Sequence, residues 1–163
     1  MKILKFLFTA FVALSLTACG GDAPKDGGGG NSDYVPPAVK AQQEAEAAAA
    51  NAMSNIGVGP LTSAITLDAA INDEMAATGK EIYELKCTAC HKAEKKFIGP
   101  APKGILERRN PTWVMNMILD PEKMVQEDPI AKALLMEFNG SPMANQSLTQ
   151  EEARAVLEYF RTL

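Results

Sequence analysis

The chain has 163 residues, with 20 acidic side chains against 16 lysines and arginines and a formal net charge of −4. That leaves room for one domain with appendages, and the acidic balance excludes a nucleic-acid binder. Three cysteines and a single histidine make neither a disulfide framework nor a zinc site, which would need further ligands. Aromatics at 6% are thin for a small self-sufficient core. A bound group would fill that deficit, and the chain without it is expected to fold poorly.

Residues 1–18 begin with Lys2 and Lys5 and continue into an apolar run over 6–14. This is an export signal, because the run falls short of the ~20 apolar residues that a spanning helix needs. Loss of both lysines with the leader takes the net charge from −4 to −6. Leu16-Thr17-Ala18-Cys19 resembles the lipobox of bacterial lipoproteins. In that family the leader is cut before the cysteine, which is diacylated, and the new N-terminus is usually acylated too. The resemblance implies lipid attachment at Cys19 and a membrane anchor. Several acyl chains hold where one does not, each buried methylene contributing about 0.8 kcal/mol.

Residues 20–37 are rich in Gly, Asp, Asn, Ser and Pro, with four glycines in a row at 27–30, and read as a flexible linker. Residues 38–54 are alanine-rich with Glu and Gln, which favours helix by propensity. They lack a strong apolar stripe, so a spacer is expected. Residues 57–67 are more apolar and include the short β-like run Ala64-Ile65-Thr66-Leu67, expected to pack on the domain as an irregular extension. The expected division is a signal peptide over 1–18, a lipid-anchored linker over 19–55 and a domain with a short N-terminal extension over 56–163.

Within the domain a helix is predicted from Asp68 or Asn72 to Leu85, both being possible N-caps, with Asp73 and Glu74 suited to the first turn. Met75, Gly79, Ile82 and Tyr83 share one face of it. Gly79 costs about 1 kcal/mol relative to alanine inside a helix, a cost that a close helix crossing would justify. The helix delivers the chain to Cys87-Thr88-Ala89-Cys90-His91, the attachment sequence for c-type haem. Its spacing brings both sulfurs to one edge of a porphyrin, where each can form a thioether, and holds His91 under the iron. The loop that follows, rich in Gly and Pro at 99–102, excludes regular structure. A backbone carbonyl there is expected to fix the tautomer of His91.

Asn110-Pro111, Asp120-Pro121 and Asp128-Pro129 each set a capping side chain before a proline suited to the first helical position. They predict helices over 111–119, 121–126 and 129–138, with Asn139-Gly140 as the stop. Thr149 with Glu152 forms a capping box for a last helix that buries Ala153, Val156, Leu157 and Phe160 or Tyr159.

Iron with a single histidine needs a second axial partner or keeps an open site, and eight methionines compete for the role. Met1 leaves with the leader, Met53 lies in the tether, and Met75, Met115, Met117, Met124 and Met136 fall in predicted helices, where methionine usually fills core. Met143 alone lies in a loop, stiffened by Pro142, and is the expected ligand; plain packing is the alternative. A thioether favours ferrous iron and raises the reduction potential, while full coordination blocks substrate.

From Glu74 onward the chain resembles a class I cytochrome c, the resemblance resting on Cys87-x-x-Cys90-His91, Gly99-Pro100 and Pro142-Met143. It implies an all-α fold wrapped round one covalent haem c, with the first and last helices crossing at Gly79, Tyr83 and Tyr159. It also implies that the Pro100 carbonyl accepts from His91 and that Met143 supplies the axial sulfur. The family shuttles electrons between protein donors and acceptors, and with the lipobox this implies the periplasmic side of a bacterial membrane. The domain further resembles periplasmic cytochromes that accompany reductases such as nitrous oxide reductase; a terminal oxidase is an equal expectation. Lys86, Lys92, Lys95, Lys96 and Lys103 crowd the motif, either guiding an acidic redox partner or forming a solvated face. Arg108, Arg109 and Trp113 are candidates for a haem propionate. The competing function is a haem sensor or enzyme accessory, in which Met143 does not hold the iron.

Overall fold

A computed structural model of the chain describes residues 35–163. The export signal, Cys19 and the glycine-rich stretch lie outside the described residues. Those described form six helices: α1 (Pro37–Ala50), α2 (Asp73–Lys86), α3 (Pro111–Leu119), α4 (Pro121–Glu127), α5 (Pro129–Glu137) and α6 (Gln150–Phe160). A short 3-10 turn covers Ile105–Glu107, and no strand occurs among the described residues.

The helix starts follow their capping chemistry. Of the two possible caps for α2 the later one operates: the Asn72 side chain accepts from the Met75 N–H, leaving Asp73 and Glu74 in the first turn. Asn110, Asp120 and Asp128 accept from the backbone N–H of Thr112, Lys123 and Ala131, each with proline at the head of its helix. Thr149 and Glu152 close a reciprocal capping box on α6. At the far end of α5, Asn139 and Gly140 both take positive φ (58° and 70°), and the Gly140 N–H reaches the Leu135 carbonyl at 2.8 Å. This is the left-handed stop that a glycine supplies without strain.

Helices α2 and α6 cross at Gly79. A Cβ there would overlap the Ala155 carbonyl and lie 2.8 Å from Val156 N, so only glycine allows the backbones to meet. Tyr83 packs on Tyr159 and Phe160 beside the crossing, with ring centroids 5.4 Å and 5.8 Å away. Inside α6, Ala153, Val156 and Leu157 join Trp113, Met115 and Ile118 of α3 and Met124 of α4 in the core. Met136 departs from the core role expected of helical methionines. It lies on the outer face of α5 and is 75% exposed.

Helix α1 lies against α5, and packing on the helical body reaches back to Ala52, which is buried in the core. Residues 55–67 run on as an irregular strap over α3 and α4. The Asn55 side chain donates to Asp128 Oδ2 (2.7 Å), the Val58 N–H to Met124 Sδ (3.2 Å) and the Ile65 N–H to Thr112 Oγ1 (2.9 Å). Fully buried Asn116 is the main fastening: its Oδ1 accepts from the Leu61 N–H, and its Nδ2 donates to the carbonyls of Ile56 and Leu61, all at 3.0 Å. Gly59 is required because its Cβ would meet Asn116 Oδ1 at 2.6 Å.

A second tie closes the molecule at α6. The Glu158 carboxylate is buried and accepts from the Asn72 N–H (2.8 Å), Arg154 and Arg161 (2.7 Å). Arg161 also donates to the carbonyls of Asp68, Ala69 and Ala70, holding the entry to α2 against the C-terminal helix. Burial acts to raise the Glu158 carboxyl, but the Asn72 amide and the two guanidinium groups outweigh it and hold it below the ordinary value.

Candidate haem-binding site

One apolar cleft opens between the Cys87–His91 turn and the loop before α6, with an empty volume of about 1400 Å³, part of it open to solvent. Cys87, Cys90 and His91 line it from one stretch of chain, Pro142, Met143 and Ala144 from another. Its walls are apolar: Ile98, Val114, Ile118, Val125, Leu134 and Phe138 are among them.

The cysteines sit where α2 ends. The Cys87 N–H closes on the Tyr83 carbonyl, and the N–H groups of Cys90 and His91 both bond to the Cys87 carbonyl (3.1 and 2.9 Å). This single turn sets two thiols and the imidazole on the cleft. Cys87 is half-buried and Cys90 exposed at its rim. Burial, the largest effect, pushes the Cys87 thiol above its ordinary pKa despite the opposing charge of Lys86.

His91 is fixed from behind. Its Nδ1 lies 2.8 Å from the Pro100 carbonyl, which can only accept, so Nδ1 carries the proton and Nε2 keeps its lone pair for a metal. Gly99 makes room for the ring: a Cβ there would strike Cε1 and lie 2.8 Å from Nδ1. The Gly99 N–H in turn donates to the Cys90 carbonyl at 2.9 Å. The acceptor expected in this loop is therefore in place, and it is the carbonyl of Pro100.

Two buried polar atoms on the cleft wall lack a hydrogen-bond partner among the described residues, Tyr83 Oη and Arg109 Nε. Burial pushes the Tyr83 hydroxyl up to about 12, with Cys87 and Tyr159 adding to the effect. Burial, followed by the charge of Arg108, lowers Arg109 below its ordinary value. The guanidinium of Arg109 donates elsewhere, to the Arg108 carbonyl at 2.7 Å, and a buried hydroxyl and a buried N–H left without partners each cost about 1–3 kcal/mol unless a ligand meets them. An apolar slot with two thiols, a metal-ready imidazole, a thioether and a guanidinium with one buried N–H to spare fits an amphiphilic iron porphyrin with acidic side arms.

The matching family model, Cytochrome c, covers residues 76–163 of this chain. The chain belongs to the class I c-type cytochromes. Cytochrome c-551 from Ectopseudomonas mendocina is 30% identical over 88 residues, which are 53% of this chain and 99% of that protein. Cytochrome c from Rhodothermus marinus has a solved structure that is 36% identical and covers 70% of this chain and 95% of its own, with a TM-score of 0.62. An engineered form of that Rhodothermus marinus cytochrome, solved with a carbene intermediate bound, is 37% identical over 69% of this chain and 94% of its own, with a TM-score of 0.59. As a cytochrome c the protein carries covalently attached haem c, and the Cys87–Cys90 spacing fits its attachment. It is a haem-based electron-transfer protein with an all-α fold.

Other expected site residues are distributed unevenly. Trp113 lines the cytochrome's cleft, but its Nε1 donates to buried Asp128 Oδ1 at 3.0 Å and is not free for a propionate. Arg108 spends its guanidinium on the carbonyls of Lys103 (2.9 Å) and Ala101 (2.7 Å), staying exposed. Arg109, stacked over Trp113 at 5.5 Å, keeps Nε available. Among the lysines, Lys103 pairs with Glu94 (2.7 Å) and Lys96 with Glu137 (3.1 Å), while Lys92 lies over the exposed Phe97 ring. The hydrogen bond from Lys103, reinforced by its charge, lowers the Glu94 carboxyl. Met117 also lines the cleft, a placement that its helical spacing did not announce.

Proposed function

We propose that this cytochrome is a membrane-tethered carrier of single electrons on the periplasmic side of a bacterial membrane, and not an enzyme. Cys87 and Cys90 would fasten the haem, His91 would supply the nitrogen ligand through Nε2, and Met143 would supply the sulfur ligand. Haem c contributes one iron that exchanges a single electron between ferric and ferrous states.

The observation that carries this reading is that His91, locked to the Pro100 carbonyl, and Met143, in the loop after Pro142, line the same apolar cleft. Met117 lies there too, but on the regular turn of α3, whereas Met143 belongs to the irregular segment between α5 and α6. The apolar walls exclude water and favour the less charged ferrous form. Arg109 Nε is the buried donor for a propionate. A nitrogen and a sulfur ligand, both from the protein, would leave the haem no open position for a substrate, which is the property expected of a carrier.

The anchor rests on Leu16-Thr17-Ala18-Cys19, and the linker after it gives the carrier reach. Its partners are protein donors and acceptors, with a periplasmic reductase such as nitrous oxide reductase, or a terminal oxidase, proposed as the acceptor.

Substitution of Met143 tests the ligand. Met143→Ala should lower the reduction potential, abolish the ferric sulfur-to-iron absorption near the red edge and open the ferrous protein to carbon monoxide; an unchanged spectrum and potential remove Met143 from the iron. Acyl labelling of wild type against Cys19→Ser tests the tether. Label on wild type and none on the variant is expected, and equal labelling refutes attachment at Cys19.

A further inference from the structure

The loop that bears Met143 packs against the core through that side chain and Leu148, but few hydrogen bonds hold its backbone. Between α5 and α6 it contains no regular structure, and two of its residues that are not glycine, Asn139 and Ser147, sit at φ of 58° and 54°. Such a conformation disfavours the loop, at Ser147 more than at Asn139, and persists where other contacts impose it. Gly140 and Ser141 bond back to α5 and merely finish that helix. Beyond Pro142, among the described residues, two hydrogen bonds join the loop to the rest of the molecule. Lys86 Nζ donates to the Gln146 carbonyl (3.2 Å), and Asn145 Nδ2 donates to the Leu119 carbonyl (3.2 Å).

Both ties land at informative places. Lys86 is the last residue of α2, directly before the first haem-attachment cysteine, and its stem lines the cleft. Its ammonium therefore ties the attachment turn to the opposite wall. Leu119 ends α3, where a carbonyl has no partner within the helix, so the Asn145 amide finishes that helix and anchors the loop at once. The other end of the Asn145 side chain accepts from the Ser147 N–H at 2.8 Å, which holds Ser147 in its left-handed conformation.

We infer that Lys86 and Asn145 are positioning residues for the axial sulfur: they clasp the 142–147 loop to the ends of α2 and α3, so that Met143 is kept over the cleft. The inference rests on the proposed reading of Met143 as the ligand. A thioether binds ferric iron weakly compared with ferrous iron, so a loop that supplies one depends most on its clasp in the oxidised protein. Loss of a hydrogen bond from a charged donor at a half-buried site should raise the population of the open loop by about tenfold. An exogenous ligand that needs the open loop then gains the same factor in apparent affinity.

The test uses the haem-loaded full chain and imidazole as the probe. Lys86→Leu keeps apolar cover over the cleft and removes the donor; Asn145→Ala removes the second tie; Lys86→Arg restores a cationic donor; Lys80→Leu, on the exposed face of α2, matches the change in charge. Ferric Lys86→Leu should bind imidazole about tenfold more tightly than wild type, and Asn145→Ala, which loses a neutral bond at an exposed site, about threefold more tightly, each with a weakened sulfur-to-iron absorption. Lys86→Arg and Lys80→Leu should match wild type. Wild-type imidazole affinity in Lys86→Leu, with the absorption intact, overturns the clasp while leaving Met143 as ligand. A wild-type protein that lacks the absorption and binds imidazole as Met143→Ala does overturns the ligand assignment, and the clasp with it.

Discussion

A carboxylate with no exposure survives at Glu158 because three donors converge on it, the Asn72 amide and the guanidinium groups of Arg154 and Arg161. Its folded-state pKa lies below the ordinary 4.5. The linked stability is therefore complete above the unfolded value and is lost as pH falls through the folded one. Glu158→Gln should cost about 2–3 kcal/mol at pH 7, the two arginines being partly exposed, and should flatten the acid limb of stability below about pH 4.5. Urea unfolding across that pH range gives the answer; parallel curves for both proteins would contradict it. A related asymmetry governs what could be foreseen from sequence. Cys87, Cys90 and His91 stand in one contiguous motif whose chemistry requires its spacing, so they were legible. Trp113 was misjudged because its partner, Asp128, announces itself only as a helix cap. Nothing local says that the same carboxylate also takes an indole and an asparagine from elsewhere in the chain.

Among the elements, the crossing of α2 and α6 depends on one missing methyl group. Gly79→Ala would force a Cβ against the Ala155 carbonyl, and neither backbone can yield without unpacking the Tyr83–Tyr159 pair. A loss of about 2–3 kcal/mol is expected, at the upper part of the range for overpacked sites. Thermal unfolding measured on the haem-loaded protein decides it, and a gain in stability from helix propensity alone would show that the crossing tolerates a side chain. Helix boundaries fell within a residue of expectation at α3, α4 and α5 because capping residue and proline act over three or four positions. The strap packs on the domain as the irregular extension expected of residues 57–67, but its fastenings resisted prediction for the opposite reason. Its bonds go to side chains far along the chain, Asn116 and Thr112 above all, and neither residue type signals that duty.

For the molecule as a whole, the strap is the part that a minimal haem domain would lack, since the family match begins at residue 76. It covers Met124, Asn116 and Thr112, all fully buried. A chain beginning at Asp68 would leave Asn116 without its three hydrogen bonds and should lose about 3 kcal/mol or more relative to one beginning at Val35. Denaturation of both haem-loaded forms compares them, and equal midpoints would show the strap to be dispensable. Helices α3, α4 and α5 also share their joints: Asp120 ends one and starts the next, and Asp128 does the same eight residues later. A run of rods hinged on single residues has no slack. An insertion or deletion between residues 111 and 137 would therefore rotate every later side chain out of register with the haem pocket, whereas the loop before α6 can change length at one end only. Across natural relatives, gaps in alignment should accordingly gather outside this three-part rod.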